Sequence, residues 1–191
     1  MMRIIDSLPV WVKETFIVSL TYIAAFIVTF EVITPVQNLF FPEFGNQASL
    51  LFLPSGVRVL SAWLLGWRSI LALAPGVFMA FYYLLGINVF DPSRIIAILI
   101  AIITPAVMFR AFKLIWPNIS PQSDQKPCWP CVMVVGFFIS IVGSLLVNYV
   151  SGNSSIDYLA YIIGDFFGLL FLMMGLMYGF RFLRKRRLKA R

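Results

Sequence analysis

Three charged side chains stand inside stretches of the chain that are otherwise apolar: Glu31, Arg58 and Asp165. A charge in a long apolar run is costly unless paired, and such residues tend to mark a binding or relay site. Arg58 offers a planar, permanently charged fork suited to carboxylate or phosphate, and Asp165 is a fitting counter-ion for it. Further polar residues, Ser55, Asn46, Gln47, Asn148 and Tyr149, lie in or beside the same runs. With Arg58 and Glu31 they could line a pocket opening to one side. Each could equally be an ordinary residue near a helix end. Both readings stay open.

Cys128-Trp129-Pro130-Cys131 has the spacing of a redox pair or half a zinc site. The chain holds two cysteines and no histidine, so one copy cannot complete a metal site from these residue types. Reduced thiols are the expectation, with Cys128 and Cys131 the sole metal candidates. No Ser-His-Asp or Cys-His arrangement, Gly-rich phosphate loop or histidine haem ligand is present. Neither catalysis nor a cofactor is expected.

The elements that must position these groups are long apolar runs. Apolar residues make up 61% of the 191 and charged residues 12%. Soluble chains hold about 45–50% and about 25%, and one soluble core could not hide this much apolar surface. A bilayer instead requires runs of about 20 apolar residues, each satisfying its own backbone as a helix. Six runs qualify: 12–34, 47–67, 69–87, 93–116, 131–151 and 156–182. The first lacks a small-residue cleavage site and is too long for a removable signal peptide. The fold class expected is therefore all-α, a polytopic transmembrane bundle of about six helices forming one domain over 1–191. No soluble module is expected at either end.

Charge sets the orientation. With six spans, one side collects Arg3, Lys13, Arg68, Arg110, Lys113, Lys126 and seven Lys and Arg in 181–191. Arg94 stands alone opposite, and Arg58 lies within a span. By the excess of cations in cytoplasmic loops, both termini are predicted to be cytoplasmic. The net charge of +7 is explained by that orientation. The basic tail, 183–191, is expected to meet anionic lipid rather than nucleic acid.

Depth links the two central charges. Counted from the outer surface, Arg58 lies about 16 Å into the second run and Asp165 about 14 Å into the sixth, at about 1.5 Å per residue. They are predicted to face each other. Such a pair could simply lock helix register, or it could hold Arg58 ready for an anionic ligand. Glu31 is shallower, about one turn from the surface. Pro54 and Gly56 are expected to interrupt the second span, Pro75 and Gly76 the third, and Pro105 the fourth, exposing backbone groups near the midplane. Gly164, Gly168, Gly175 and Gly179 share one face of the last helix and have the small-xxx-small form of close packing. An internal partner is expected for that face, with a second subunit as the alternative.

Two segments resemble a known family. Residues 53–68 read Leu-Pro-Ser-Gly-Val-Arg-Val-Leu-Ser-Ala-Trp-Leu-Leu-Gly-Trp-Arg, with Pro75-Gly76 following. Residues 164–170 read Gly-Asp-Phe-Phe-Gly-Leu-Leu. Together they are similar to the signature of the MASE-one type of membrane-associated sensor domain, in matching order and separation. The resemblance implies a bacterial inner-membrane domain that senses a signal, usually ahead of a diguanylate cyclase or histidine kinase module. It singles out Pro54, Gly56, Arg58, Gly164, Asp165 and Gly168. The chain departs from the family in having about six spans rather than about eight, and no output module. Relay would then pass through a partner protein or a homo-oligomer. A small transporter or its substrate-binding subunit, and a structural subunit of a larger membrane complex, are the other two readings.

Overall fold

The computed structural model describes residues 9–40, 51–116, 129–151 and 155–189, and the side chains of all but 40, 151, 155–160, 180 and 183–189. Among these residues there is no strand. Helix α1 (Val10–Ile27) continues through a π-helical segment (Val28–Ile33) into α2 (Thr34–Phe40), forming a single rod. Then come α3 (Leu53–Leu65), α4 (Arg68–Leu85), a 3-10 turn (Gly86–Phe90), α5 (Pro92–Ile115), α6 (Trp129–Ser151) and α7 (Ser155–Lys189). Five rods are long and apolar enough to cross a membrane; α3, with 13 residues, is shorter. Large apolar side chains such as Leu20, Leu71, Leu99 and Leu145 cover the outside, the surface a bilayer accepts and water does not. Among the described residues the fold is an all-α bundle of six helical rods, and the protein is a multi-pass membrane protein.

The first rod runs past the predicted stop at Thr34 to Leu39. Pro35 is the reason for its local form. Proline has no N–H for the Glu31 carbonyl and its ring crowds that carbonyl, so the ladder must widen. The Thr34 N–H accordingly reaches back five residues to the Thr29 carbonyl, a π-type bond. The Thr34 hydroxyl donates to the same oxygen at 3.0 Å.

The second helix differs more from expectation. It begins at Leu53 with Pro54 in its first turn, where a missing N–H costs no intrahelical bond. Pro54 therefore starts this helix rather than kinking it in mid-span. At the other end Gly66 adopts φ 56° and ψ −127°, a conformation nearly confined to glycine. Its N–H still bonds the Ala62 carbonyl at 2.9 Å. The Leu-Leu-Gly-Trp-Arg stretch is thus a sharp reversal into α4. There Arg68 pairs with Glu14 at 2.7 Å and lies over the Trp11 ring.

Short as it is, α3 packs against α1, α4, α5, α6 and α7. Nine of its 13 residues are buried, Ser55, Ser61 and Trp63 among them. A helix enclosed by protein can carry polar groups that a lipid-facing one cannot. Around it lie two packed clusters. Tyr22, Phe26, Leu73, Val77 and Ile102 join α1, α4 and α5. Leu60, Trp63, Phe109, Val135 and Leu169 join α3, α5, α6 and α7. Gly76 sets the α1–α4 spacing, because a Cβ there would stand 2.9 Å from the Ser19 Cα. The Ser19 hydroxyl donates across that contact to the Ala72 carbonyl at 2.9 Å. Pro75 and Gly76 lie inside α4 and Pro105 inside α5, and both helices continue through them where interruptions were expected.

Candidate ligand cavity

The site begins where the N-terminus of α3 docks on α7. A helix start leaves backbone N–H groups without intrahelical partners, and hydrocarbon offers none. Here the neighbours supply them. The Phe52 N–H donates to the Gly164 carbonyl at 2.9 Å, and the Leu53 N–H donates to Thr29 Oγ1 at 3.2 Å. Ser55 Oγ lies 2.6 Å from the Asp165 carbonyl and 2.8 Å from that of Phe52, and can donate its one proton to either. This close approach requires Gly168, since a Cβ there would overlap the Phe52 carbonyl oxygen. At Gly56 a Cβ would stand 2.9 Å from Leu172 Cδ2 and 3.1 Å from Leu169 Cα. Gly168 is therefore a contact glycine, as its small-xxx-small spacing implies, and Gly56 is one too rather than an interruption that opens the backbone.

That docking brings Arg58 and Asp165 together. Arg58 Nη2 donates to both carboxylate oxygens at 3.3 Å. Charge-assisted bonds usually run nearer about 2.7–2.9 Å, so the grip is loose. The side chains keep 14% and 16% exposure. Among the described residues, Arg58 Nε is buried without an acceptor. The guanidinium also faces the Phe52 ring, 5.7 Å from its centroid.

Both charges line a cavity of about 330 Å³ in the middle of the bundle. Ser55, Tyr22, Thr104, Asn148, Tyr161 and Arg94 bring polar groups to it; Phe26, Phe30, Phe52 and Phe81 bring rings. α5 lines it from Arg94 to Pro105 and α6 from Ile139 to Asn148, about 14–16 Å of helix axis. The cavity lies toward the end where α4 stops and α5 begins. At the other end Trp63, Phe109, Val132 and Leu169 fill the interior.

Of the residues singled out from the sequence, Arg58, Asp165, Ser55, Asn148 and Pro105 line the cavity. Glu31 does not. It is exposed on the π segment and accepts a hydrogen bond from the Tyr83 hydroxyl at 3.2 Å. Tyr149 points outward at 83% exposure; one residue on from Asn148, it is turned about 100° around α6 and away from the cavity lining. Asn46, Gln47 and Cys128 lie outside the described residues. Cys131 is disulfide-bonded, contrary to the expected reduced thiol, and a disulfide sulfur offers no thiolate to a metal. Among the described residues no cluster of His, Cys, Asp or Glu could hold a metal ion.

The glycines of α7 divide. Gly164 and Gly168 are buried against α3, whereas a Cβ on Gly175 or Gly179 would meet nothing within 4 Å. Among the described residues no internal partner covers the second half of that face, where those from Met174 onward are exposed.

Sequence reasoning passed over two parts of the lining. Arg94 entered only the charge count. Ser140, Ser144 and Asn148 are spaced by four, which puts three polar groups on one face of an apolar helix; that signal was readable. No family model matches the chain, and no curated protein or solved structure matches it.

Proposed function

We propose that the protein is a non-enzymatic sensory or ligand-binding domain of the bacterial inner membrane, similar to MASE-one-type sensors. It takes a small anion into the cavity beside α3 and α7 and acts through a partner protein. The observation that carries this reading is the Arg58 guanidinium. It lines the cavity, is held by Asp165 through one nitrogen, and keeps a buried Nε–H without an acceptor. Arg94 on the same lining adds a second cation, so the charge favours an anion. The distribution of lysine and arginine supports cytoplasmic termini. Helix α7 runs unbroken from Asp165 to Lys189, giving a shift at the ion pair a stiff element along which to reach the basic end. A transport subunit would use the same cavity, and co-purification with an energising ATPase would move the reading there.

The test is thermal unfolding in detergent of wild type, Arg58→Ala, Asp165→Ala and the double variant, against a panel of small anions. An anion that raises the wild-type midpoint by several degrees, and leaves folded Arg58→Ala unmoved, supports binding. Losses of about 3–5 kcal/mol in the single variants, much of it recovered in the double, fit either reading; what defeats binding is that no compound stabilises wild type. The pair would then be a structural lock only.

A further inference from the structure

Resting on that reading, we infer that the cavity's ligand is a monoanionic aromatic carboxylate with a hydroxyl or similar hydrogen-bonding group remote from the carboxylate. Four features of the cavity converge on this class.

The first is charge. Among the described residues, the charged groups on the lining are Arg58, Arg94 and Asp165, a net of one positive charge. A monoanion balances it. A doubly charged phosphate ester would leave excess negative charge beside Asp165 at membrane depth, where uncompensated charge is costly.

The second and third are two polar atoms on different walls. Arg58 Nε on α3 and Ser144 Oγ on α6 are both buried and without a hydrogen-bond partner among the described residues, and both residues line the cavity. Ser144 is 4% exposed. Its neighbours on that face donate back to their own helix, Ser140 to the Gly136 carbonyl and Asn148 to the Ser144 carbonyl. The Ser144 hydroxyl does not. A buried unmet donor or acceptor is costly, and a ligand that satisfies it gains by doing so. A carboxylate oxygen answers the Arg58 N–H, and a ligand hydroxyl answers Ser144.

The fourth is shape. α1 packs on α3 and α4, α6 packs on α5 and α7, and the cavity lies between the two groups. The α1 side presents Phe26 and Phe30, and Phe52 covers Arg58. The far side presents Ala97, Ala101 and Gly143. Rings gathered on one wall suit an aromatic body, since aromatic rings pack well against each other in offset or edge-on arrangements.

Gly143 makes the inference testable, because a Cβ there would meet nothing within 4 Å. Gly143 lines the cavity, so Gly143→Leu adds bulk there from a Cβ that touches no neighbour. The full chain in detergent is titrated with 4-hydroxybenzoate, benzoate, methyl 4-hydroxybenzoate, hexanoate and inorganic phosphate, read by unfolding midpoint and calorimetry. The expected order is 4-hydroxybenzoate, then benzoate, with the neutral ester and hexanoate at least tenfold weaker. Gly143→Leu should unfold at or above the wild-type midpoint and respond to none. Ser144→Ala, a milder change, should keep benzoate binding and lose the preference for the hydroxyl. Equal binding of the ester or of hexanoate would overturn the inference. If phosphate alone stabilises wild type and not Gly143→Leu, the aromatic class is wrong and anion binding stands. If no anion binds, both readings fall.

Discussion

Gly168 and Gly175 stand seven residues apart on α7, two turns along nearly the same face. A methyl group at the first would collide with the Phe52 carbonyl, and at the second it would meet nothing. Leu169 and Leu176 repeat the contrast one residue on, the former fully buried and the latter 38% exposed. The same motif thus sits in protein in one half of the helix and at an open face in the other. The difference comes from α3. Its first turn docks at Gly164–Gly168, whereas by Met174 no described residue of α7 remains buried. Small-residue spacing permits close approach; a helix end that needs backbone partners makes use of it.

Removing the charge that the first half carries should have the largest effect. Asp165→Ala leaves Arg58 desolvated without its counter-ion, and a loss of about 3–5 kcal/mol is expected in reversible unfolding. Arg58→Met in the same chain should restore much of it. A smaller loss would mean that Asp165 acts chiefly through its backbone carbonyl at Ser55, which alanine keeps. A full loss that Arg58→Met does not restore would mean that the carboxylate serves something besides Arg58. In either case the ion pair would cease to distinguish the two halves.

Leucine truncations come next. Leu169→Ala empties a fully buried position and should cost about 2–4 kcal/mol, while Leu176→Ala should cost well under 1. Similar losses at the two sites would show that the second half is packed against something in the membrane. Thr29→Val probes the docking from the other side. It removes the hydroxyl that accepts the Leu53 N–H and itself donates to the Ala25 carbonyl. Leaving that buried N–H unmet should cost about 1–3 kcal/mol, and amide exchange at Leu53 should quicken.

Much of this layout is legible in the chain. Hydropathy marks the six rods because the bilayer imposes one requirement on every span. Arg58 and Asp165 could be matched as opposite charges in two apolar runs, and they do meet. The residue count that gave them equal depth, however, assumed helix from 47 onward, and α3 starts at Leu53. What failed was local choice between helix start and helix kink. Pro54 does either, depending on whether helix precedes it, and Pro35, unremarked in the sequence, widens a helix that continues through it. The cavity was only half legible. Ser55, Arg58 and Asn148 were found by residue type, but Glu31 and Tyr149 are equally polar and face outward. Which faces converge is set by helix rotation and crossing, and six short apolar patterns constrain that poorly when lipid outside is as apolar as the core. Arg94 and Ser144 were missed because a residue near a surface and a serine in a helix each have ordinary explanations until a shared cavity joins them.

The smallest expected effect tests the open half of the contrast. Gly175→Ala and Gly179→Ala add a methyl group where nothing lies within 4 Å. In a helix interior alanine is favoured over glycine by about 1 kcal/mol in peptides. Lipid contact should preserve part of that gain. Each variant should therefore be neutral or stabilised by up to about 1 kcal/mol in dilute detergent, against a clear loss for Gly168→Ala, where the Phe52 carbonyl must move. Repeating the measurement across protein concentration separates two cases. If the Gly175 variant is destabilised only where wild type self-associates, a second copy packs on this face. If its effect is the same at every concentration, the face meets lipid, and the two glycine pairs of α7 differ as the single chain has them.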